Sequence, residues 1–478
     1  MGDTIAAIAT AISESGIGIV RVSGDNAVQI VDKIYRTKAG KRALSHFDSH
    51  TVHYGFIVDR ESGGKEEILD EALVVVMMAP RSYTAEDTVE INCHGGALVL
   101  QRVLESVLKH GARLAQPGEF TKRAFLNGRM DLSKAEAVMD IIHAKSRLAL
   151  QSSMNQLCGS VFDAMKELRE ELLYEIAFIE SALDDPEHIS LDGYPDKLRI
   201  KTEKILERLQ KLLDTAEYGK ILKEGIRTVI VGKPNAGKSS LLNILAGEDR
   251  AIVTDVAGTT RDALEETIRL DGVSLRVVDT AGIRSTEDIV EKIGVEKARK
   301  YALDADLLIY IVDGSVPLDE SDDEILRMIA KKKTIILLNK SDLDMAVTEE
   351  ILKEKIKTVF KEMQLLSKEG EVETVIIRTS TKEKVGIGAL EEKVKEMFFH
   401  GEVSFNDEVV ITNMRHKEAM QDAYESMMQV KASLEKGMPE DFYSIDLMSA
   451  YASLGKIIGE EVGEDLVNEI FSKFCMGK

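Results

Sequence analysis

The sequence predicts a multidomain α/β plus α protein, and three observations carry that prediction. At 478 residues the chain exceeds the roughly 250–300 residues over which a single hydrophobic core keeps growing. Between Ile226 and Met397, short apolar runs alternate with amphipathic stretches, the pattern of a largely parallel sheet covered on both faces. On either side of that segment the hydrophobic period is helical, so the α/β unit reads as an insertion into one helical domain.

From Ile5 to about Arg113, β-rich runs such as GIGIVRVSG and DEALVVVMMAP alternate with helical stretches at 25–36 and 95–110, which predicts an N-terminal α+β domain over 1–118. Beyond Pro117, Leu132, Ala135, Val138, Met139 and Ile142 fall on one helical stripe, and VFDAMKELREELLYEIAFIESAL continues it. That is bundle material, and it sets the first part of a helical domain at 119–222. The run DDPEHISLDGYPDKL is rich in Pro, Gly and Asp and reads as a loop, after which a helix is expected to reach about Tyr218. The inserted domain is placed at 223–398, with strands in IRTVIVG, SLRVVDT, DLLIYIVD, TIILLNK and TVIIRTS, and the second helical part at 399–478.

Composition narrows the class. Hydrophobic residues make up 44% and charged residues 30%, a globular balance, and no apolar run approaches the ~18 residues needed to cross a bilayer. The N-terminal stretch MGDTIAAIATAISESG lacks a basic region before its apolar run, so a cytoplasmic protein without membrane attachment is expected. Cys93, Cys158 and Cys475 show no paired spacing, which argues against a disulfide framework or a zinc site. A formal net charge of −21 disfavours loose, charge-driven binding to nucleic acid, so any RNA contact must be local or shared.

After the strand IRTVIV comes Gly232-Lys233-Pro234-Asn235-Ala236-Gly237-Lys238-Ser239, the GxxxxGKS pattern, opening a helix that starts with Ser239 and Ser240. Backbone N–H groups of such a loop cradle phosphates, Lys238 reaches the β and γ phosphates as a catalytic cation, and the Ser239 hydroxyl ligates magnesium. Asp279-Thr280-Ala281-Gly282 follows the second strand of an apparent hairpin, where the carboxylate holds magnesium through water and Gly282 approaches the γ phosphate. Asn339-Lys340-Ser341-Asp342 ends another apolar strand. The Asp342 carboxylate accepts from both the N1 and the 2-amino donors of guanine, a pair that adenine lacks, which selects GTP over ATP. Ser380, Thr381 and Lys382 follow TVIIRT where Ras-like GTPases close over the base, although a plain strand-end turn would look the same. The inserted unit is thus expected to be a Ras-like P-loop GTPase domain.

Switch I is assigned to Thr254, Asp255, Val256, Ala257, Gly258, Thr259 and Thr260, followed by Arg261 and Asp262, with Thr260 capping magnesium; taken alone, the run also reads as a polar surface loop. Ile283 follows the Asp-Thr-Ala-Gly run where Ras-type GTPases place a water-orienting Gln. An apolar side chain neither orients water nor stabilises charge, so a cation and another polar group must do so. Asn235 and the Thr-rich switch offer oxygen ligands for a monovalent cation, and Glu291 lies downstream; alone, Glu291 reads as a solvated helix face.

Beyond these motifs, GIGIVRVSG, APRSYTAEDTVEINCHGG and PGEFTKRAFLNGRMDLSKAEAV, together with the terminal FCMGK, resemble the MnmE (TrmE) family of tRNA-modification GTPases along the whole chain. The resemblance implies a folate-binding N-terminal domain that dimerises, a central helical domain and the inserted G domain. It implies 5-formyl- or methylene-tetrahydrofolate bound by Arg21, Glu90, Arg129 and Lys478, with Arg129 standing where the family often has Lys. It further implies potassium held by Asn235, Thr254, Val256 (through its carbonyl) and Thr259, beside magnesium on Ser239 and Thr260, and Glu291 as the catalytic glutamate. Potassium would stand in for an arginine finger as G domains of a homodimer meet.

The activity implied is a potassium-dependent GTPase that works with an FAD-dependent partner of the MnmG (GidA) type, in a heterotetramer or larger complex. Together they add an aminomethyl-type group to C5 of the wobble uridine (position 34) of certain tRNAs, using a folate one-carbon unit. Cys475, flanked by Lys473 and Lys478, is a candidate reactive thiol, with a buried small hydrophobe as the equal alternative. Two rival readings stand beside this one: a regulatory GTPase switch in ribosome or RNA assembly without modification chemistry, and a folate-dependent transferase whose G domain only regulates.

Overall fold

The computed structural model describes residues 3–38, 40, 44–60, 66–247, 265–270, 273–278, 301–330, 332–363, 374–399, 409–460 and 462–477. The chain forms two compact units: Met1–Met139 with Gln156–Leu206 and Ala419–Lys478, and Asp140–Asn155 with Glu207–Glu418. Its fold class is mixed α/β with many helices.

The first unit holds a seven-stranded sheet of β1 (Ile5–Ile8), β2 (Ser15–Ser23), β3 (Tyr35–Arg36), β4 (Thr51–Arg60), β5 (Glu66–Met77), β6 (Thr88–Gly95) and β7 (Arg113–Leu114), in the order β3-β4-β5-β6-β2-β1-β7. Neighbours are antiparallel except β1 and β7, which run parallel. Along β5, buried Ala72, Val74 and Val76 alternate with exposed Leu73, so the sheet buries one face. Helices Ala27–Ile34 and Ala97–Lys109 cover that face with Val28, Val31, Leu100, Val103 and Val107. Both fall in the stretches where periodicity predicts helices. The unit's longest helix, Ser160–Asp184, packs on Glu440–Ile458, where Gly455 leaves room for buried Arg169 to stack on Tyr451 at 4.0 Å.

The second unit is built on a six-stranded sheet of β8 (Ile226–Gly232), β9 (Glu265–Leu270), β10 (Val273–Val278), β11 (Leu307–Asp313), β12 (Thr334–Asn339) and β13 (Thr374–Arg378), ordered β13-β12-β11-β8-β10-β9. All neighbours are parallel except the edge pair β9 and β10, the hairpin expected from sequence. Alternate residues of β11 face opposite ways. Leu307, Ile309 and Ile311 join Leu241 of helix Lys238–Gly247 and Leu390 of Ile387–Phe399, whereas Leu308, Tyr310 and Val312 join Leu326 of Glu320–Ile329 and Leu352 of Glu349–Glu362. Burial on both faces explains why the strands read as continuous apolar runs.

Helix Tyr194–Glu224 extends past the expected stop near Tyr218. A glycine at the end of a helical stretch commonly marks a cap, but Gly219 lies inside the helix, where a Cβ would collide with the carbonyl of Ile411. The helix ends at Gly225, whose φ of 83° fits the usual left-handed stop. Among the described residues, no helix is long and apolar enough to cross a membrane.

Candidate functional site

Four segments meet the C-terminal ends of adjacent parallel strands, the edge at which open α/β sheets bind ligands. The GxxxxGKS loop leaves β8, Gly314 and Ser315 follow β11, the 339–342 turn ends β12, and Ser380, Thr381 and Lys382 follow β13.

The loop after β8 needs its glycines for space as well as for conformation. Gly232 and Gly237 take φ of 155° and 113°, and Asn235, an amino acid that tolerates the left-handed region, takes 60°. A Cβ on Gly237 would collide with the Asn339 amide, and one on Gly232 would press on the carbonyl of Ile311. Lys238 donates Nζ to the carbonyls of Gly232 and Lys233, both at 2.7 Å, and burial holds its pKa below the ordinary lysine value. Its ammonium therefore sits within the loop whose N–H groups would face phosphate. Ala236 is buried beneath the loop, while Asn235, Ser239 and Ser240 are exposed.

Asn339 joins three strand ends. Its Nδ2 donates to the Ala236 carbonyl at 2.8 Å and to Thr381 Oγ1 at 3.3 Å, and its Oδ1 accepts the Thr381 N–H at 3.0 Å. Ser380 Oγ donates to Asp342 Oδ1 at 2.6 Å. That hydrogen bond, with weaker help from Lys382 and Lys340, holds the half-buried Asp342 carboxyl below its usual range, so it is an anion able to accept two donors. Gly386, at φ 84°, closes the turn where a side chain would strike the Arg378 carbonyl.

Two supports of this site are not among the residues singled out from sequence. Lys233 donates to Asp319 at 2.8 Å and to fully buried Asp322 at 2.6 Å, and Asp322 also accepts the Tyr310 hydroxyl at 2.6 Å. Burial alone would lower the Lys233 pKa, but the two carboxylates outweigh it and hold the pKa raised. Asp322 also caps helix Glu320–Ile329 through the Asp319 N–H. The second support is Asp313, which accepts Lys340 Nζ at 2.5 Å. A strand-end carboxylate after the apolar run LLIYIV was the available signal for it.

The candidates Thr254, Asp255, Val256, Ala257, Gly258, Thr259, Thr260, Asp279, Thr280, Ala281, Gly282 and Glu291 lie outside the described residues, as does Lys478. Asn235 and Ser239 are thus the described members of the expected cation sets, and both offer the oxygen donors that hard cations take.

In the first unit, Arg21 and Glu90 face each other across β2 and β6, with Nε donating to Oε1 at 2.8 Å. Arg21 also donates to the Gly477 carbonyl at 3.2 Å and lies over the rings of Tyr83 at 5.1 Å and Phe120 at 5.6 Å. Arg129 lies over the same Tyr83 ring at 5.0 Å. Two of the four residues expected for folate, Arg21 and Arg129, thus lie over one aromatic ring, that of Tyr83, which is absent from the sequence-derived set, and the third, Glu90, is tied to them through Arg21. Its hydroxyl is 2.9 Å from Thr121 Oγ1. Two arginines and a carboxylate beside an aromatic ring offer cationic donors and an anionic acceptor to a ligand that carries both a carboxylate and a flat hydrogen-bonding ring. Cys475 is exposed and its carbonyl accepts the Gly118 N–H at 3.3 Å.

A doubly wound, mostly parallel sheet with a GxxxxGKS loop, an NKxD turn and a closing Ser-Thr-Lys turn along one edge defines the class of P-loop GTPases. Family models described as "GTP-binding protein TrmE N-terminus" and "MnmE helical domain" match residues 4–129 and 132–475. The chain is 56% identical over 476 residues to the tRNA modification GTPase MnmE of Lachnoclostridium phytofermentans and 46% identical over 476 residues to that of Clostridioides difficile, covering 100% of this chain and 99% of each relative. Among solved structures, the G domain of the T. maritima FeoB iron transporter is 27% identical, spanning 36% of this chain and 97% of that one with a TM-score of 0.24. The chain belongs to the MnmE family of tRNA modification GTPases.

Proposed function

We propose that the chain is a GTP hydrolase acting in tRNA modification, with an N-terminal domain over 1–118, a helical domain over 119–222 and 399–478, and a G domain over 223–398. The observation that carries this reading is Asn339, which ties the guanine-selecting turn to both the phosphate loop and the Thr381 turn. In this reading Lys238 and the loop N–H groups bind the phosphates, and Asp342 reads the base. Ser239 would hold magnesium, which supplies neutralising charge to the β and γ phosphates. Asn235 would serve a potassium ion in the same way; equal turnover in sodium and potassium would remove that part.

The Arg21, Glu90, Tyr83 and Arg129 cluster supports a folate site in the same chain, with Arg21 and Arg129 orienting the ligand and Glu90 accepting from it. We read the product as a uridine carrying an aminomethyl-type group at C5, made by a homodimer acting with an FAD-dependent partner. The test is to incubate the full chain with that partner, GTP, a methylene-tetrahydrofolate and unmodified tRNA, then to measure the wobble nucleoside by mass spectrometry. Modification that is lost with Lys238→Ala supports the reading. Modification at the original rate in that variant, or none with the unaltered chain, refutes it.

A further inference from the structure

The 339–342 turn is held from outside by a residue that no base-binding role explains. Asp313, the last residue of β11, lies in register with Asn339 on β12. Its Oδ2 accepts Lys340 Nζ at 2.5 Å, while Oδ1 accepts the Ser315 N–H at 3.0 Å and the Ser315 hydroxyl at 2.6 Å. Next to it, the Gly314 N–H donates to the Asn339 carbonyl at 3.0 Å, and the Gly314 carbonyl accepts the N–H groups of Ala346 and Val347 at 2.8 and 3.0 Å. The strand end, the turn and the segment beyond it are therefore laced together.

This lacing acts on a strained position. Lys340 has φ of 63°, a conformation unfavourable for lysine that persists only where neighbours hold it. The side chain of Asp313 is 15% exposed and that of Lys340 31%, so both charges are largely withdrawn from water and depend on each other.

We propose that Asp313 is a positioning residue for the base-recognition turn: by holding Lys340 and bracing Asn339 through Gly314, it sets the geometry in which Asp342 meets guanine. The proposal rests on reading the 339–342 turn as the guanine site. Guanine affinity then depends on a carboxylate that touches no part of the nucleotide. Asparagine at 313 keeps the shape and the Ser315 contacts but offers Lys340 a neutral partner, whereas glutamate keeps the charge.

The experiment measures GDP binding to the full chain by fluorescence titration, together with GTP turnover. Asp313→Asn is expected to raise the GDP Kd and the GTP KM about tenfold while kcat at saturation falls far less. Asp313→Glu is expected to stay within about threefold of the original. In a Lys340→Met background, adding Asp313→Asn is expected to change Kd little further, because the two residues act as a unit. An unchanged Kd in Asp313→Asn overturns the proposal, as does equal loss in Asp313→Glu or a full tenfold effect that persists beside Lys340→Met. The guanine reading has its own control: Asp342→Asn should exchange GDP preference for xanthosine diphosphate, whose 2-oxo group meets the amide donor. If that exchange fails, the guanine reading falls; if it succeeds and Asp313→Asn binds GDP normally, only the role of Asp313 falls.

Discussion

Asn339 Nδ2 stands 2.8 Å from the carbonyl oxygen of Ala236, so the end of β12 and the phosphate loop after β8 form one hydrogen-bonded structure although 103 positions separate the residues in sequence. The same amide accepts the Thr381 N–H. One side-chain amide therefore serves the phosphate loop and the Thr381 turn together.

The first prediction concerns that amide. Asn339→Ala leaves the Ala236 carbonyl and the Thr381 N–H without this partner in a buried place, at a cost of about 1–3 kcal/mol. GDP affinity should fall roughly 10- to 100-fold, measured by equilibrium titration. Retention of the original affinity would mean that the base turn and the phosphate loop are independent.

The second concerns the buried carboxylate under the phosphate loop. Lys233→Met removes the cation 2.6 Å from Asp322 and leaves that charge with the Tyr310 hydroxyl and the Asp319 N–H alone. The unfolding free energy of the second unit should fall by about 2–4 kcal/mol, since breaking a buried pair from one side exposes the desolvation cost of the other. The double variant Lys233→Met with Asp322→Asn should recover part of the loss. Denaturant unfolding of the three proteins decides this, and equal stability of Lys233→Met and the unaltered chain would contradict it.

Much of this site is legible in the sequence because its chemistry is local. A GxxxxGKS run between a buried strand and a helix, and Asn339 to Asp342 at a strand end, each carry their own physical reason. Asp313 and Asp322 do not, because a carboxylate near a strand end or in the first turn of a helix reads as a solvated cap until the fold brings Lys340 or Lys233 against it. Tyr83 is similar: only the register of β2 against β6 and the loop before β6 bring one ring against both Arg21 and Arg129. Gly219 is the converse case: inside helix Tyr194–Glu224 it serves close approach to the Ile411 carbonyl, and nothing local in the sequence separates that use of glycine from one that ends a helix.

The third prediction concerns acid. Hydrogen bonding from Arg113 holds the Asp3 carboxyl below its usual value against a burial penalty, with Arg123 adding to it. Burial pushes Glu119 up, but Arg113, the Gln116 N–H and Arg123 outweigh it and lower its pKa. Both folded pKa values lie below their unfolded ones, so the unfolded chain binds more protons as pH falls. The stabilisation is present above the ordinary carboxylate values and is lost as pH drops below about 4.5 toward the folded values. Melting temperature measured against pH should therefore fall on the acid side, and Arg113→Gln should make that fall shallower. An identical acid slope in Arg113→Gln would contradict the assignment.

The most direct test is the turnover of GTP against ATP by the purified full chain in potassium buffer with magnesium, beside Lys238→Ala. GTP is expected to be hydrolysed, with ATP turnover lower by at least about 100-fold because adenine lacks the donors that Asp342 accepts, and with a loss of about 100-fold or more in Lys238→Ala. Comparable turnover of both nucleotides, or an undiminished rate in Lys238→Ala, would contradict it.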